Sequence, residues 1–144
     1  MMVNTEIQAN LIMVAVKHPG KDLEVSCYKK EYLRLSEFKD YVKDFPNACE
    51  MVPLSRNGLL MLTDESALLK DLPLNMYVEV RHGITPIQKI CGTVIFTRLG
   101  RRIEGNDFLL NTMSDDDLKT VLHITDEDYQ KQLDHRYRMQ LLHD

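Results

Sequence analysis

The spacing of apolar positions changes several times along the chain, and each change marks an element. "LIMVAV" (11–16) is an unbroken apolar run of strand length, rich in β-formers, which fits a central strand covered on both faces. His18-Pro19-Gly20-Lys21 interrupts it as a turn: Pro presets the first corner and Gly admits positive φ at the second. "DLEVSCY" then alternates, with Leu23, Val25 and Cys27 on one face and Glu24 and Ser26 on the other, so the two segments predict a hairpin. The period lengthens in "LSEFKDYVKDFP". There Leu35, Phe38, Val42 and Phe45 make one helical stripe behind a Ser36 N-cap, and Pro46 ends it. "ACEMVPL" and "GLLMLT" predict two further strands around Asn57-Gly58, a strong hairpin signal.

"DESALLKDLPLN" reads as a short helical turn closing at Leu72-Pro73. "MYVEV" (76–80) and "KICGTVIFTRL" (89–99) predict the last strands, joined by a loop carrying Gly83 and Pro86. Two helix starts follow. Ser114 caps with Asp117 at the capping-box position and Met113 placed to staple onto Leu118; Thr125, Asp128, Ile124 and Tyr129 repeat the device. Tyr129, Leu133, Tyr137 and Leu141 form the stripe of the second helix, flanked by the favourable pairs Glu127→Lys131 and Asp134→Arg138. The pattern therefore predicts an α+β fold: a mostly antiparallel sheet of about five to six strands, one helix packed on it, and two C-terminal helices. We read residues 1–144 as a single domain, with a core over 11–122 and a helical extension over 123–142.

Composition narrows the function classes. Hydrophobic residues at 44% and charged residues at 28% are globular values. A net charge of −4 disfavours general nucleic-acid binding, which draws on a basic excess. Cys27, Cys49 and Cys91 are odd in number and far apart, which is neither a disulfide framework nor a zinc knuckle; the bland reading buries them in strands. No apolar run reaches membrane-spanning length, and the start "MMVNTEIQAN" lacks a signal-peptide pattern, so the expectation is a soluble cytoplasmic protein.

Little of the sequence carries catalytic or metal chemistry. Asp115-Asp116-Asp117 and Asp126-Glu127-Asp128 are acidic first turns that complement helix dipoles, without EF-hand spacing. His18, His82, His123, His135 and His143 form no ligand pair, so no metal is expected. No nucleophile elbow, phosphate loop or dinucleotide fingerprint occurs, and no catalytic residue or cofactor is assigned. The signal with more content is basic. Lys17, His18 and Lys21 share one turn, Arg81 and His82 a second, and Arg98, Arg101 and Arg102 bracket Gly100 in a third. If these loops met at one end of the sheet they could hold an anion or nucleotide. Asp115, Asp116, Glu127 and Tyr137 are the corresponding candidates for a protein interface.

An ordered set of segments also resembles a known family: "VKHPGKDLEV", "YLRLSEF", "CEMVPL", "GLLMLTDESALLKDLPLN", "ICGTVIFTRLG" and "DFLLNTMSDDDLKTVL". They look like the small phage and bacterial family of unknown function whose members read V-x-P-G-K, E-x-V-P, an acidic pair before G-L-P-x-N, I-x-G-T, and D-F-x-S-L-(S/T)-D-E-D. Leu72-Pro73-Leu74-Asn75 and Ile90-Cys91-Gly92-Thr93 are the most characteristic matches. Asp71 stands where that family has glycine, the loop at 83–88 differs, and residues 123–144 lie outside the likeness. The resemblance implies a phage or mobile-element setting, in which small acidic proteins bind host factors. The expected function is a non-catalytic binding protein that neutralises a host factor, either a defence nuclease, as an anti-CRISPR does, or a small nucleotide signal held as in a sponge. The alternatives are a small nucleotide-processing enzyme, with His82 or a carboxylate as base, and a homodimeric scaffold pairing through an exposed "IFTRL" or "MYVEV" edge.

Overall fold

A computed structural model describes residues 10–46, 49–79 and 87–143. Strands β1 (Asn10–Lys17) and β2 (Glu24–Lys30) form the predicted hairpin. Its corner is a type II turn: the Lys21 N–H donates to the His18 carbonyl at 3.1 Å, and Gly20 sits at φ +72°. A short helix, α1 (Leu35–Phe38), runs into a 3-10 turn. Strands β3 (Cys49–Pro53) and β4 (Leu59–Asp64) flank the Asn57-Gly58 turn. Then come β5 (Leu74–Glu79), β6 (Ile87–Cys91), β7 (Val94–Glu104) and β8 (Asp107–Asn111), followed by helices α2 (Asp115–Ile124) and α3 (Glu127–Leu142).

Six strands make one antiparallel sheet in the order β2-β1-β7-β4-β3, with β8 pairing the far half of β7; β5 and β6 form a separate two-stranded sheet. The fold is α+β, as the pattern predicts. Alternation along β1, β4 and β7 builds two cores. Val14, Leu62 and Ile95 face Leu33 and Phe38 on one side, and Ala15, Met61 and Phe96 face Met76, Val78 and Ile90 of the small sheet and Val121 of α2 on the other. The small sheet turns Tyr77 and Ile87 outward onto Leu133 of α3. The molecule is thus layered as α1, main sheet, small sheet and α3, with β1 covered on both faces as its unbroken apolar run requires.

Several expectations are corrected. The run 89–99 is not one strand but β6 and β7, in different sheets, because Gly92 turns the chain at φ +83° and its N–H donates to the Pro73 carbonyl at 2.8 Å. The basic segment around Gly100 is not a loop, since β7 continues through it to Glu104 and pairs with β8. Helix α1 is one turn long, and Ser36 does not cap it: the Ser36 N–H and Oγ both donate to Asp107, at 3.0 and 2.9 Å, so a carboxylate from the β7–β8 turn caps the helix from across the fold. The predicted stripe survives this shortening, for Leu35, Phe38, Val42 and Phe45 all pack on the same core.

The Ser114–Asp117 capping box is present on α2. On α3 the cap is Asp126, whose carboxylate accepts from the Tyr129 N–H at 3.1 Å; Thr125 instead ends α2 and donates to the Val121 carbonyl. The inward face of β2 is also reversed. Tyr28 packs edge-on against Phe38, while Val25 and Cys27 lie on the face that the second layer does not reach at the sheet margin. Only Cys91 is buried; Cys49 is half-buried. Finally, "IFTRL" is not an edge, since β4 pairs it on one side and β1 and β8 on the other, and Gln130 occupies the outer edge of β5 at Tyr77.

Candidate functional site

The basic candidates separate along β7. Lys17 pairs with Val94 at one end, whereas Arg98, Arg101 and Arg102 lie four to eight residues on, roughly 13–26 Å away at strand rise. Three of these residues hold the fold together. Lys17 Nζ donates to Asn75 Oδ1 at 2.9 Å, and the Asn75 amide donates to the carbonyls of Lys17 (2.7 Å) and Gly92 (2.8 Å), latching the β1 end to the Gly92 corner. Burial lowers the Lys17 pKa against the opposing pull of Asp22. His18 Nδ1 lies 2.9 Å from Thr93 Oγ1; Thr93 is 4% exposed, so its hydroxyl offers a substrate no face.

Arg98 Nε and Nη2 donate to the two oxygens of Asp117 at 2.5 and 2.9 Å, and its Nη1 donates to the Asn57 carbonyl. This bidentate pair holds the Asp117 carboxyl below its ordinary range, and the pairing with Asp117 raises Arg98 in turn. Lys21, Arg101 and Arg102 are exposed, and Arg81 and His82 lie outside the described residues.

Among the interface candidates, Asp115 and Asp116 are exposed on the first turn of α2. Glu127 pairs with Lys131 at 3.5 Å, and Tyr137 packs against Tyr77 with ring centroids 5.1 Å apart. The other exposed pair expected on α3, Asp134 with Arg138, is also formed, at 3.2 Å.

Two depressions lie on the surface of the described residues. The larger, about 1090 Å³, lies between α1, β3 and the β7–β8 turn. It joins Arg102 to Arg34 and Lys39, beside Phe45 and Phe108, but Glu65, Glu104 and Asp107 also line it, so its formal charges balance. Burial raises the Asp107 pKa, yet the hydrogen bonds from Ser36 and Phe108 outweigh it and leave this carboxyl below its ordinary range.

The smaller cleft, about 360 Å³, lies between β6 and the turn at 65–71 and includes Tyr137 of α3. Ala67, Leu68, Ile87 and Ile90 line it together with the carboxylates of Glu50 and Glu65. Leu68 is 81% exposed and its neighbour Leu69 92%. Both sit on a single helical turn ended by a Schellman motif: the Leu72 N–H donates to the Ala67 carbonyl at 3.0 Å, the Asp71 N–H to the Leu68 carbonyl at 3.3 Å, and Asp71 is left-handed at φ +53°. The sequence signal for this pair was present: two adjacent leucines in a turn with no stripe to join.

The buried acidic group at the cleft, Asp64, is engaged by Lys70 at 2.8 Å and by Ser66 N–H and Oγ at 2.9 Å. Burial raises its pKa, and these bonds bring it below the ordinary value. Burial pushes the Cys49 thiol up, away from the reactive thiolate. No three potential metal ligands cluster among the described residues, and no described helix is long and apolar enough to cross a membrane. No protein-family model, curated protein or solved structure matches the chain.

Proposed function

We propose that this chain is a non-catalytic binding protein of phage or mobile-element origin that neutralises a host protein, with the lip of the β6 cleft as its contact surface. The observation that carries this reading is the pair Leu68 and Leu69, held almost fully in water beside a cleft of mixed apolar and charged lining. Burying each leucine in a partner would contribute about 1.5–3 kcal/mol, so the pair alone supplies a large share of a micromolar affinity. Two buried carboxylates, Asp64 and Asp117, are engaged in structural pairs with Lys70 and Arg98. The left-handed Asp71 supports the phage resemblance, since glycine is the residue that family has there and the one such a backbone favours.

Expressing the chain in bacterial hosts that each carry one defence system tests the proposal. A phage restricted by that system should regain plating in at least one host; unchanged restriction throughout would refute the neutralising role.

A nucleotide sponge has one observation behind it, the convergence of Arg34, Lys39 and Arg102 with two phenylalanines in the larger groove. The three carboxylates of that groove oppose a polyanion. No rise in melting temperature is expected across a panel of cyclic nucleotides, and a saturable rise would move the function to this groove.

A further inference from the structure

The small sheet is finished at its margins by glutamines of α3. Gln130 Oε1 accepts from the Tyr77 N–H at 2.7 Å and its Nε2 donates to the Tyr77 carbonyl at 2.9 Å, as a neighbouring strand would. Gln140 does the same for Ile87 on the opposite margin, at 3.3 and 3.2 Å. These bonds fix which backbone groups of β6 face outward. Tyr77 is opposite Lys89 and Glu79 opposite Ile87. Since Tyr77 and Ile87 send their N–H and C=O away from the ladder, Tyr77–Lys89 is a non-hydrogen-bonded pair. The Lys89 N–H and C=O must therefore also point away from β5, and the whole of β6, from Ile87 to Cys91, lines the cleft. Gln140 covers this edge at Ile87, and no side chain among the described residues does so at Lys89.

We infer that the edge of β6 accepts an extended segment of the partner as an added strand, one carrying basic side chains. This rests on the binding reading above and supplies its mode. The open N–H and C=O of Lys89 would bond the incoming backbone. Alternate apolar side chains of the segment would lie on Ala67 and Leu68, with Leu69 folding over them, and the exposed carboxylates of Glu50 and Glu65 favour lysine or arginine at the intervening positions.

The test uses the full chain and a displayed library of random linear peptides of about six residues, the length of an ordinary strand. Selection should enrich alternating apolar and basic sequences whose binding weakens with salt. The best synthetic peptide, measured by fluorescence anisotropy, should bind Lys89→Ala at least as tightly as the parent chain, since that change removes a cation from the cleft, and Lys89→Pro about tenfold more weakly than Lys89→Ala, the loss of one backbone hydrogen bond. A peptide series N-methylated one residue at a time, measured on the unaltered chain, guards against misfolding of the proline variant; binding should fall at every second position. Absence of enrichment, equal affinity for a folded Lys89→Pro, or N-methyl effects without a two-residue period would overturn strand addition. If host neutralisation persists in that case, the binding reading stands and only its mode fails.

Discussion

Replacing Asp117 with Asn removes the charge from a carboxylate that does two jobs. It receives both forks of Arg98, and its Oδ2 accepts the Ser114 N–H at 2.9 Å, completing the capping box of α2. Removing one side of a buried ion pair costs about 3–5 kcal/mol. The Arg98 side chain is 24% exposed and keeps some solvation, and Asn still offers the cap an acceptor, so about 2–3 kcal/mol is the expected loss. In a chain of this length that lowers Tm by roughly 4–12 °C.

The pH dependence has a definite sign. The folded Asp117 carboxyl titrates below its unfolded value, mainly through Arg98, so the contribution is complete above an unfolded pKa of about 4 and fades as pH falls through the lower folded value. Urea unfolding followed by far-UV circular dichroism between neutral and acid pH would read it. The gap between parent and Asp117→Asn should be constant above about pH 5 and shrink in acid. A gap below about 0.5 kcal/mol at neutral pH, or one unchanged in acid, would refute the reasoning. Replacing both partners, as Arg98→Met with Asp117→Leu, should recover most of the loss.

Three further outcomes follow from the same geometry. Gly92→Ala should lose about 1–3 kcal/mol, chiefly because the residue sits at φ +83°, while the Leu72 side-chain tip 2.8 Å from an added Cβ can turn aside; chemical denaturation gives the value, and a neutral result would contradict the corner. Asn75→Ala should cost about 2–3 kcal/mol through its three hydrogen bonds, and a loss under about 1 kcal/mol would remove its role as a latch. Asp71→Gly should hold or raise Tm while Asp71→Val lowers it, since a β-branched residue is the poorer fit to φ +53°; equal melting of all three would discount the Schellman ending.

What the sequence revealed depended on whether local rules decided the outcome. The β1–β2 turn, the β3–β4 hairpin, the capping box at Ser114 and the Tyr129-Leu133-Tyr137 part of the α3 stripe are set by residues within a few positions of one another, and they were legible; Leu141, the last position expected in that stripe, is exposed instead. The apolar run 89–99 hid its break because one glycine between two strands looks like a bulge until Leu72 is known to pack beneath it. The end of β7 was missed because its exposed arginines lie at the fold's margin and carry little apolar alternation, and β8 because Phe108, Leu109 and Leu110 are an unbroken apolar triplet too short to show a period. The inward face of β2 was misread for a related reason: Val25 and Cys27 look like core, but the second layer stops short of the sheet edge. The basic residues read as an anion site because sequence gives their charge but not their partners, and Asn75 and Asp117 lie 58 and 19 positions away from Lys17 and Arg98. The Gln130 and Gln140 clamps carry no pattern at all, for a glutamine on a helix surface is ordinary until a strand edge lies beside it.

The most direct test of the binding reading is the double substitution Leu68→Ser with Leu69→Ser in a host where the parent chain restores phage plating. Both side chains are exposed, so the variant should melt with the parent, and the restored plating should be lost. A variant that folds normally and neutralises as well as the parent would contradict the assignment of this surface.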